Sequence, residues 1–288
     1  MKIFICNKLR RFFVIYSKEI NAILNTNQFI TNEWTNADYL ITCISDEQNY
    51  PIYGNMKYAE SEVKINNINE FIRNSFVIKP NQKIVVFYHT PSVFMDNTIN
   101  VCYAKNDDDS KNLLICPPAI QKYSFNNTIN KKYFLSFKGN VHCSRPRNRI
   151  YNAFKKYNNN NIVVIERTNT KYDYGELLTD SLFSLVIEGD LPWSYRLTET
   201  INAGSIPIII KPKNKNIFAF DELIDYSLFS IVIDEDEIDV LMTNILPNIT
   251  VDEISSLLLN LYNVNNLYFI SREAQMNGLT KILENRLF

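Results

Sequence analysis

The sequence predicts an α/β protein built from two parallel-sheet units. Short apolar runs bounded by Asp, Asn or Pro alternate with longer polar or amphipathic stretches, as the strands and helices of βαβ units do. A Pro- and Asn-rich stretch at 117–133 has no clear period and interrupts this alternation. The length of 288 residues suffices for two domains. We therefore expect one unit over 1–125, a second over 126–270, and a C-terminal helix over 271–288 that packs back on the first unit.

The elements of the first unit follow from its apolar runs. Strands are predicted at 2–6, 37–44, 83–89 and 112–118, and mixed helical spacing of apolar residues predicts a helix at 61–76. The polar stretch 104–112 is expected to be a solvated loop, although Asp107–Asp109 superficially has the form of a metal-binding motif.

The alternation of predicted strands and helices resumes in the second unit. Strands are predicted at 132–139, 161–166, 182–187, 205–211 and 229–234. Helices are predicted at 145–158, 195–203 and 270–288, and 236–246 is amphipathic. The run 182–187 is apolar except for Ser184, as in a strand that is covered on both faces.

Composition excludes several classes of protein. Lys and Arg total 30 against 31 Asp and Glu, which gives a net charge of −1. The protein as a whole therefore has no positive potential that would attract nucleic acid. The five cysteines include no C-x-x-C pair, which favours reduced thiols over a disulfide framework or a zinc site. No run approaches the roughly 20 apolar residues of a membrane span. We expect a cytoplasmic protein without a membrane span, in the host cytoplasm if the chain is viral.

The segment GDLPWSYRLTETINAGSIPIII, residues 189–210, reads as the turn, helix and strand of a β–loop–α–β unit. Gly189 gives the turn backbone freedom, and Gly204 stands where a left-handed residue commonly ends a helix. Such loops leave the carboxyl ends of parallel strands, where ligands bind, and a helix start favours phosphate. Arg196 can clamp an anion, and Glu199 lies on the same helix face. Alternatively, Ser194 caps the helix, and Arg196 and Glu199 form a surface ion pair.

The second unit resembles the exostosin-like glycosyltransferase family. The resemblance is carried by the strand DSLFSLVI, the turn and helix GDLPWSYRLTE, and GSIP; it covers residues 31–262 and is loose in the N-terminal half. Ile187-Glu188 stands where the family usually has Pro-Arg or Pro-Ser, and Thr90 follows His89 where the family has Asp. The chain looks like a short version, such as bacteria or large DNA viruses encode.

The resemblance implies a GT-B architecture, in which two Rossmann-like lobes face each other across a cleft. The N-terminal lobe would hold a glycan acceptor and the C-terminal lobe a nucleotide-sugar donor, most simply a UDP-sugar. The reaction would be inverting, without a required cofactor or bound metal.

Candidate donor-binding residues follow from the motif and from its chemistry. Preorganised donors must meet the charge on the leaving diphosphate, and a carboxylate can accept from the ribose hydroxyls. The candidates are Gly139, Arg147, Arg149, Glu188, Gly189, Trp193, Ser194, Arg196 and Glu199. Two of these residues also have a purely structural alternative. Arg147 would then belong to a solvated basic turn, and Trp193 would be a hydrophobic anchor.

A general base must take the proton of the acceptor hydroxyl. His89 is the natural choice because its side chain titrates near neutral pH and it ends a predicted strand. Asp46 and Asp190 are rivals. A histidine at a strand end can equally be structural.

Two other functions remain open from the sequence. Thr90 after His89 fits a glycan- or nucleotide-sugar-binding subunit that kept the fold and lost its base. A fucosyltransferase-like enzyme that uses a GDP-sugar has a related strand–Glu–helix pattern, although the Pro-x-Ser-x-Arg-Leu run argues against it.

Overall fold

The computed structural model describes residues 3–5, 37, 39–43, 83–87, 98–102, 105–106, 113–115, 117, 123–189 and 194–286. The chain divides into two compact units, Met1–Cys116 with Leu283–Phe288 and Pro117–Ile282. The sequence predicts the boundary between the two units at residues 125 and 126. The predicted helix at 61–76 lies outside the described residues.

The first unit contains a five-stranded parallel sheet. Its strands are β1 (Ile3–Ile5), β2 (Tyr39–Cys43), β3 (Lys83–Phe87), β4 (Thr98–Cys102) and β6 (Leu113–Ile115), in the spatial order β1-β2-β3-β4-β6. The two-residue strand β5 (Lys105–Asn106) precedes β6. Four of these strands lie within predicted ones, and β4 was not predicted. The Tyr39 hydroxyl, fully buried, donates to the carbonyl of Leu283 at 2.6 Å.

The second unit contains a second five-stranded parallel sheet. Its strands are β7 (Tyr133–Gly139), β8 (Ile162–Glu166), β9 (Ser181–Val186), β10 (Ile206–Ile210) and β12 (Ile231–Ile233), in the order β12-β10-β9-β7-β8. A two-residue strand, β11, spans Lys215–Asn216. The predicted α/β class with parallel sheets is confirmed in both units. In chain order the second sheet is 2-1-3-4-5, so the direction of winding reverses between β7 and β9.

The described helices all lie in the C-terminal part of the chain. They are α1 (Arg145–Lys155), α2 (Tyr174–Thr179), α3 (Arg196–Ala203), α4 (Ile238–Val240), α5 (Leu246–Asn248), α6 (Val251–Val264) and α7 (Arg272–Asn285). The amphipathic stretch 236–246 forms a 3₁₀ turn, α4 and a π-helical turn in succession. No helix within the described ranges is long and apolar enough to span a bilayer.

The core of the second unit is centred on β9 and β10. Every residue of these two strands is buried, as their largely apolar runs predict. Helix α1 buries Ile150, Tyr151 and Phe154 on one side of its axis. The carboxyl edge of this buried sheet carries the loops that lead into α1, α2 and α3.

Helix α3 ends as the sequence predicted. Gly204 adopts a left-handed φ of 76°, and an added Cβ would lie 2.4 Å from the carbonyl oxygen of Asn126. The ammonium group of Lys131 donates to the Gly204 carbonyl at 2.8 Å. Burial lowers the pKa of this ammonium group to about 7, while the charge of Asp180 opposes the shift.

Lys131 should make the stability of the protein rise with pH between about 7 and 10.5. In this window the folded state binds fewer protons than the unfolded state, so the free energy of unfolding increases as the pH rises. We expect the unfolding free energy of the wild type to rise relative to that of Lys131→Met, by at most about 1.4 kcal/mol per pH unit. Chemical denaturation of both proteins across this window measures the difference.

Lys132→Met is the matched control. A hydrogen bond with Tyr133 raises the pKa of the exposed Lys132 above its usual range, so its titration falls above the window. A wild-type-to-Lys131→Met difference that is flat with pH would contradict the assignment.

Candidate functional site

The direction of winding reverses between β7 and β9, and the loops that follow these strands leave the carboxyl edge of the second sheet. In open parallel sheets, ligands bind at this position because the loops from the two neighbouring strands lead away in opposite directions. Strand β7 ends at Gly139 and leads into α1, and β9 ends at Val186 and leads towards α3. Most of the predicted site residues in the described part of the chain lie on these two connections.

Arg147 ties the ends of the two strands together. Its guanidinium donates to the carbonyls of Glu188 at 2.5 Å, Ile187 at 2.9 Å and Asn140 at 3.2 Å. The side chain is buried in the first turn of α1, whose N-cap, Ser144, accepts from the Arg147 amide. Arg147 thus fixes the backbone where β9 ends, a role that the sequence did not predict.

Arg196 lies buried at the same edge, between two aromatic rings. Its Cζ is 4.5 Å from the ring centroid of Phe137 and 5.0 Å from that of Tyr174, and only 6% of the residue is exposed. Its Nη2 donates to the Lys138 carbonyl. Within the described ranges, no carboxylate lies at ion-pair distance from this guanidinium. Among the described residues, two π faces and a carbonyl dipole therefore surround the charge.

Gly139 makes room for this arrangement. A Cβ at position 139 would lie 2.9 Å from Cζ of Phe137 and 3.3 Å from Nη2 of Arg196. Ser194 accepts from the Arg196 amide at 3.3 Å, but the N-cap position of α3 is Tyr195, so Ser194 is not the cap that the sequence allowed. The start of α3 thus combines the positive end of the helix dipole with a buried cation, a combination that suits an anion.

Glu199 does not pair with Arg196, so the alternative of a surface ion pair is wrong for these residues. Its Oε2 accepts from the Tyr174 hydroxyl and its Oε1 from the Tyr123 hydroxyl at 3.4 Å. Burial raises the pKa of both phenols, that of Tyr123 to about 12, and the charge of Glu199 adds to the rise. Both phenols therefore remain hydrogen-bond donors at neutral pH.

Glu188 and Gly189 are half-buried where β9 ends. Burial raises the pKa of the Glu188 carboxyl, whereas a hydrogen bond with Ser144 and the charge of Arg147 oppose the rise. The predicted site therefore carries a carboxylate close to the buried Arg147.

Arg149 is placed differently. It makes a bidentate contact with Glu235 on the surface, and 71% of its side chain is exposed. The structure does not bring Arg149 into the group formed by Arg196, Glu199 and Tyr174.

The remaining predicted residues, His89, Asp46, Asp190 and Trp193, lie outside the described residues. Asp107–Asp109 also lie outside them. Within the ranges that the structure describes, no three His, Cys, Asp or Glu side chains are grouped as metal ligands.

Sequence reasoning missed Tyr123, Tyr174 and Phe137. Tyr174 follows the N-cap Asp173 of α2, and its ring stands 6.5 Å from that of Tyr123 in an edge-on arrangement. Local patterns contain no signal for these contacts, because Tyr123 and Glu199 are 76 positions apart in the chain.

The match to a known family decides the classification. A sequence model of the exostosin GT47 domain matches residues 91–248. The chain belongs to this family. The predicted resemblance is thereby confirmed, and the matched range includes the whole carboxyl edge of β7 and β9.

Exostosin-1 proteins are among the relatives of the chain. The Exostosin-1 homolog of Caenorhabditis elegans is 31% identical over 129 residues, which cover 36% of this chain and 32% of the relative. Exostosin-1 of Drosophila melanogaster is 31% identical over 133 residues, which cover 39% of this chain and 17% of the relative. The chain thus spans a third or less of the length of these relatives.

Solved glycosyltransferases resemble the chain only distantly. WaaG, a glycosyltransferase involved in lipopolysaccharide biosynthesis, aligns over 96% of this chain and 98% of its own, with 12% identity and a TM-score of 0.42. The GtfA/B complex aligns over 93% of this chain and 60% of its own, with 11% identity and a TM-score of 0.46. The family assignment rests on the sequence match.

Arg147→Lys should destabilise the protein by about 2 kcal/mol, because one ammonium group cannot span three carbonyls on two strand ends. Denaturant unfolding of the purified variant measures the loss. Arg149→Lys is the control on the same helix, and its exposed pair with Glu235 should make a much smaller contribution. Equal effects of the two substitutions would contradict the role of Arg147.

Proposed function

We propose that the chain is an inverting glycosyltransferase. It would move a sugar from a nucleotide-sugar donor, a UDP-sugar, to a hydroxyl of a glycan acceptor, with no required metal or cofactor. The observation that carries this proposal is the buried guanidinium of Arg196, which has no carboxylate partner among the described residues and lies beside Glu199 at the strand reversal. Membership of the exostosin family supports it.

The donor diphosphate is the natural counter-charge for Arg196. The N–H groups at the start of α3 and the guanidinium both favour negative charge at this point. Because these donors are fixed in advance, they would stabilise the charge that grows on the leaving diphosphate, each by about 3 kcal/mol. Arg147 supports this indirectly, since it holds the backbone at Ile187 and Glu188.

The Glu199 carboxylate is suited to the ribose of the same donor. A carboxylate only accepts hydrogen bonds, and a ribose offers two neighbouring hydroxyls as donors. Glu199 lies one helical turn from Arg196, so one nucleotide can reach both.

The transfer requires one nucleophilic displacement. The oxygen of the acceptor hydroxyl would attack the anomeric carbon from the face opposite the diphosphate. The bond from that carbon to the diphosphate oxygen breaks, and the electron pair leaves with the diphosphate. A general base takes the proton of the hydroxyl; His89 is our candidate, with Asp46 and Asp190 as rivals. We assign the acceptor to the first unit, with the two units as the lobes of a GT-B architecture.

Donor binding and transfer are tested together. Calorimetry should detect UDP and a UDP-sugar, and a ligand at 100 times its Kd should stabilise the fold by about 2.7 kcal/mol. Arg196→Lys keeps the charge but loses the planar fork, so its Kd for UDP should rise about tenfold. Arg167→Lys, an exposed arginine after β8, is the control and should bind UDP as the wild type does.

Three other outcomes would overturn all or part of the proposal. No binding of any nucleoside diphosphate or nucleotide sugar would reject the transferase. Binding without sugar transfer or slow donor hydrolysis would identify a non-catalytic binding subunit. Preference for GDP over UDP in competition would identify a GDP-sugar enzyme.

A further inference from the structure

Tyr174 contacts both of the residues on which the proposed donor site depends. Its ring covers the guanidinium of Arg196 at 5.0 Å, and its hydroxyl donates to Oε2 of Glu199. It is the first residue of α2, where the N-cap Asp173 accepts from the amide of Glu176 and fixes the start of the helix. One side chain therefore sets the positions of a cation and a carboxylate.

Tyr123 holds the other oxygen of the same carboxylate. Its hydroxyl donates to Oε1 of Glu199 at 3.4 Å, which is longer than an ordinary O–H···O hydrogen bond. The two phenol rings stand edge to face, with their centroids 6.5 Å apart and an interplanar angle of 74°. The carboxylate thus accepts a hydrogen bond on each oxygen, and the bond from Tyr174 is the shorter of the two.

These two hydrogen bonds fix the orientation of the carboxylate and leave some of its acceptor positions open. Two carboxylate oxygens offer about four acceptor positions, and the phenols occupy two of them. The remaining two belong to one rigid, planar group and can accept from two neighbouring hydroxyls. A carboxylate free to rotate would lose conformational freedom on binding, and this loss would weaken the affinity.

We propose that Tyr174 and Tyr123 are positioning residues that hold Glu199 for a vicinal diol, so that the site selects ribonucleoside over deoxyribonucleoside diphosphates. The inference rests on the proposed function, because it takes a nucleotide as the ligand. It assigns the discrimination to two tyrosines that do not themselves touch the ligand.

The test compares nucleotides with and without the diol. Kd values are measured by calorimetry for UDP and 2′,3′-dideoxy-UDP, and for the corresponding guanosine pair, on the wild type and the variants. The wild type should bind the ribonucleotide at least about tenfold more tightly, as expected for hydrogen bonds to a charged group. In Tyr174→Phe this ratio should fall about fivefold, and in Tyr123→Phe about twofold, because its hydrogen bond is longer.

Tyr174→Phe keeps the ring over Arg196, so its affinity for inorganic pyrophosphate should stay within about twofold of the wild type. A structural defect would instead weaken pyrophosphate and both nucleotides alike. Tyr172→Phe is the matched control: this ring packs against Tyr133 with centroids 6.0 Å apart, and its ratio should be that of the wild type. Glu199→Gln should lower the ratio at least as much as Tyr174→Phe.

Each result decides between the two claims. A wild type that prefers the ribonucleotide, with Tyr174→Phe variants that keep the full preference, would overturn the role of the tyrosines and leave the donor site intact. A wild type that binds both nucleotides equally would overturn the diol as the ligand of Glu199. No binding of either nucleotide would reject the proposed function and this inference together.

Discussion

The burial of the Arg196 guanidinium is the constraint on which the rest of the site depends. Removing a charge from water is costly unless the surroundings compensate for it. Here the rings of Phe137 and Tyr174 and the carbonyl of Lys138 supply that compensation, and the missing side chain of Gly139 leaves the space. The strand ends, the start of α2 and the start of α3 are thereby tied to one point on the carboxyl edge.

The elements around this point were largely predictable from the sequence. Largely apolar runs located β9 and β10, and Gly204 located the end of α3, because burial on both faces and a left-handed φ leave strong local signals. Strand β4 has mixed polarity in TINVC and gave no such signal. The helix α6 carries a capping box from Thr250 to Glu253 that the sequence contained and the prediction overlooked.

The site was predictable in its residues but not in its contacts. The motif identified Arg196 and Glu199, yet their obvious pairing as an i, i+3 ion pair is not the one that forms. Glu199 instead accepts from Tyr174 and Tyr123, 25 and 76 positions away. Arg147 donates to three backbone carbonyls, which the motif did not indicate, and its contact with a ligand stays a prediction. Tertiary packing sets these choices, and no local pattern encodes them.

A crystal structure of the chain with UDP would test the central claim most directly. The account predicts that the diphosphate oxygens accept hydrogen bonds from the Arg196 guanidinium and the first turn of α3, with the ribose hydroxyls at Glu199. UDP bound away from the carboxyl edge of β7 and β9 would contradict the account. So would UDP at that edge with Arg196 still bonded to the Lys138 carbonyl alone.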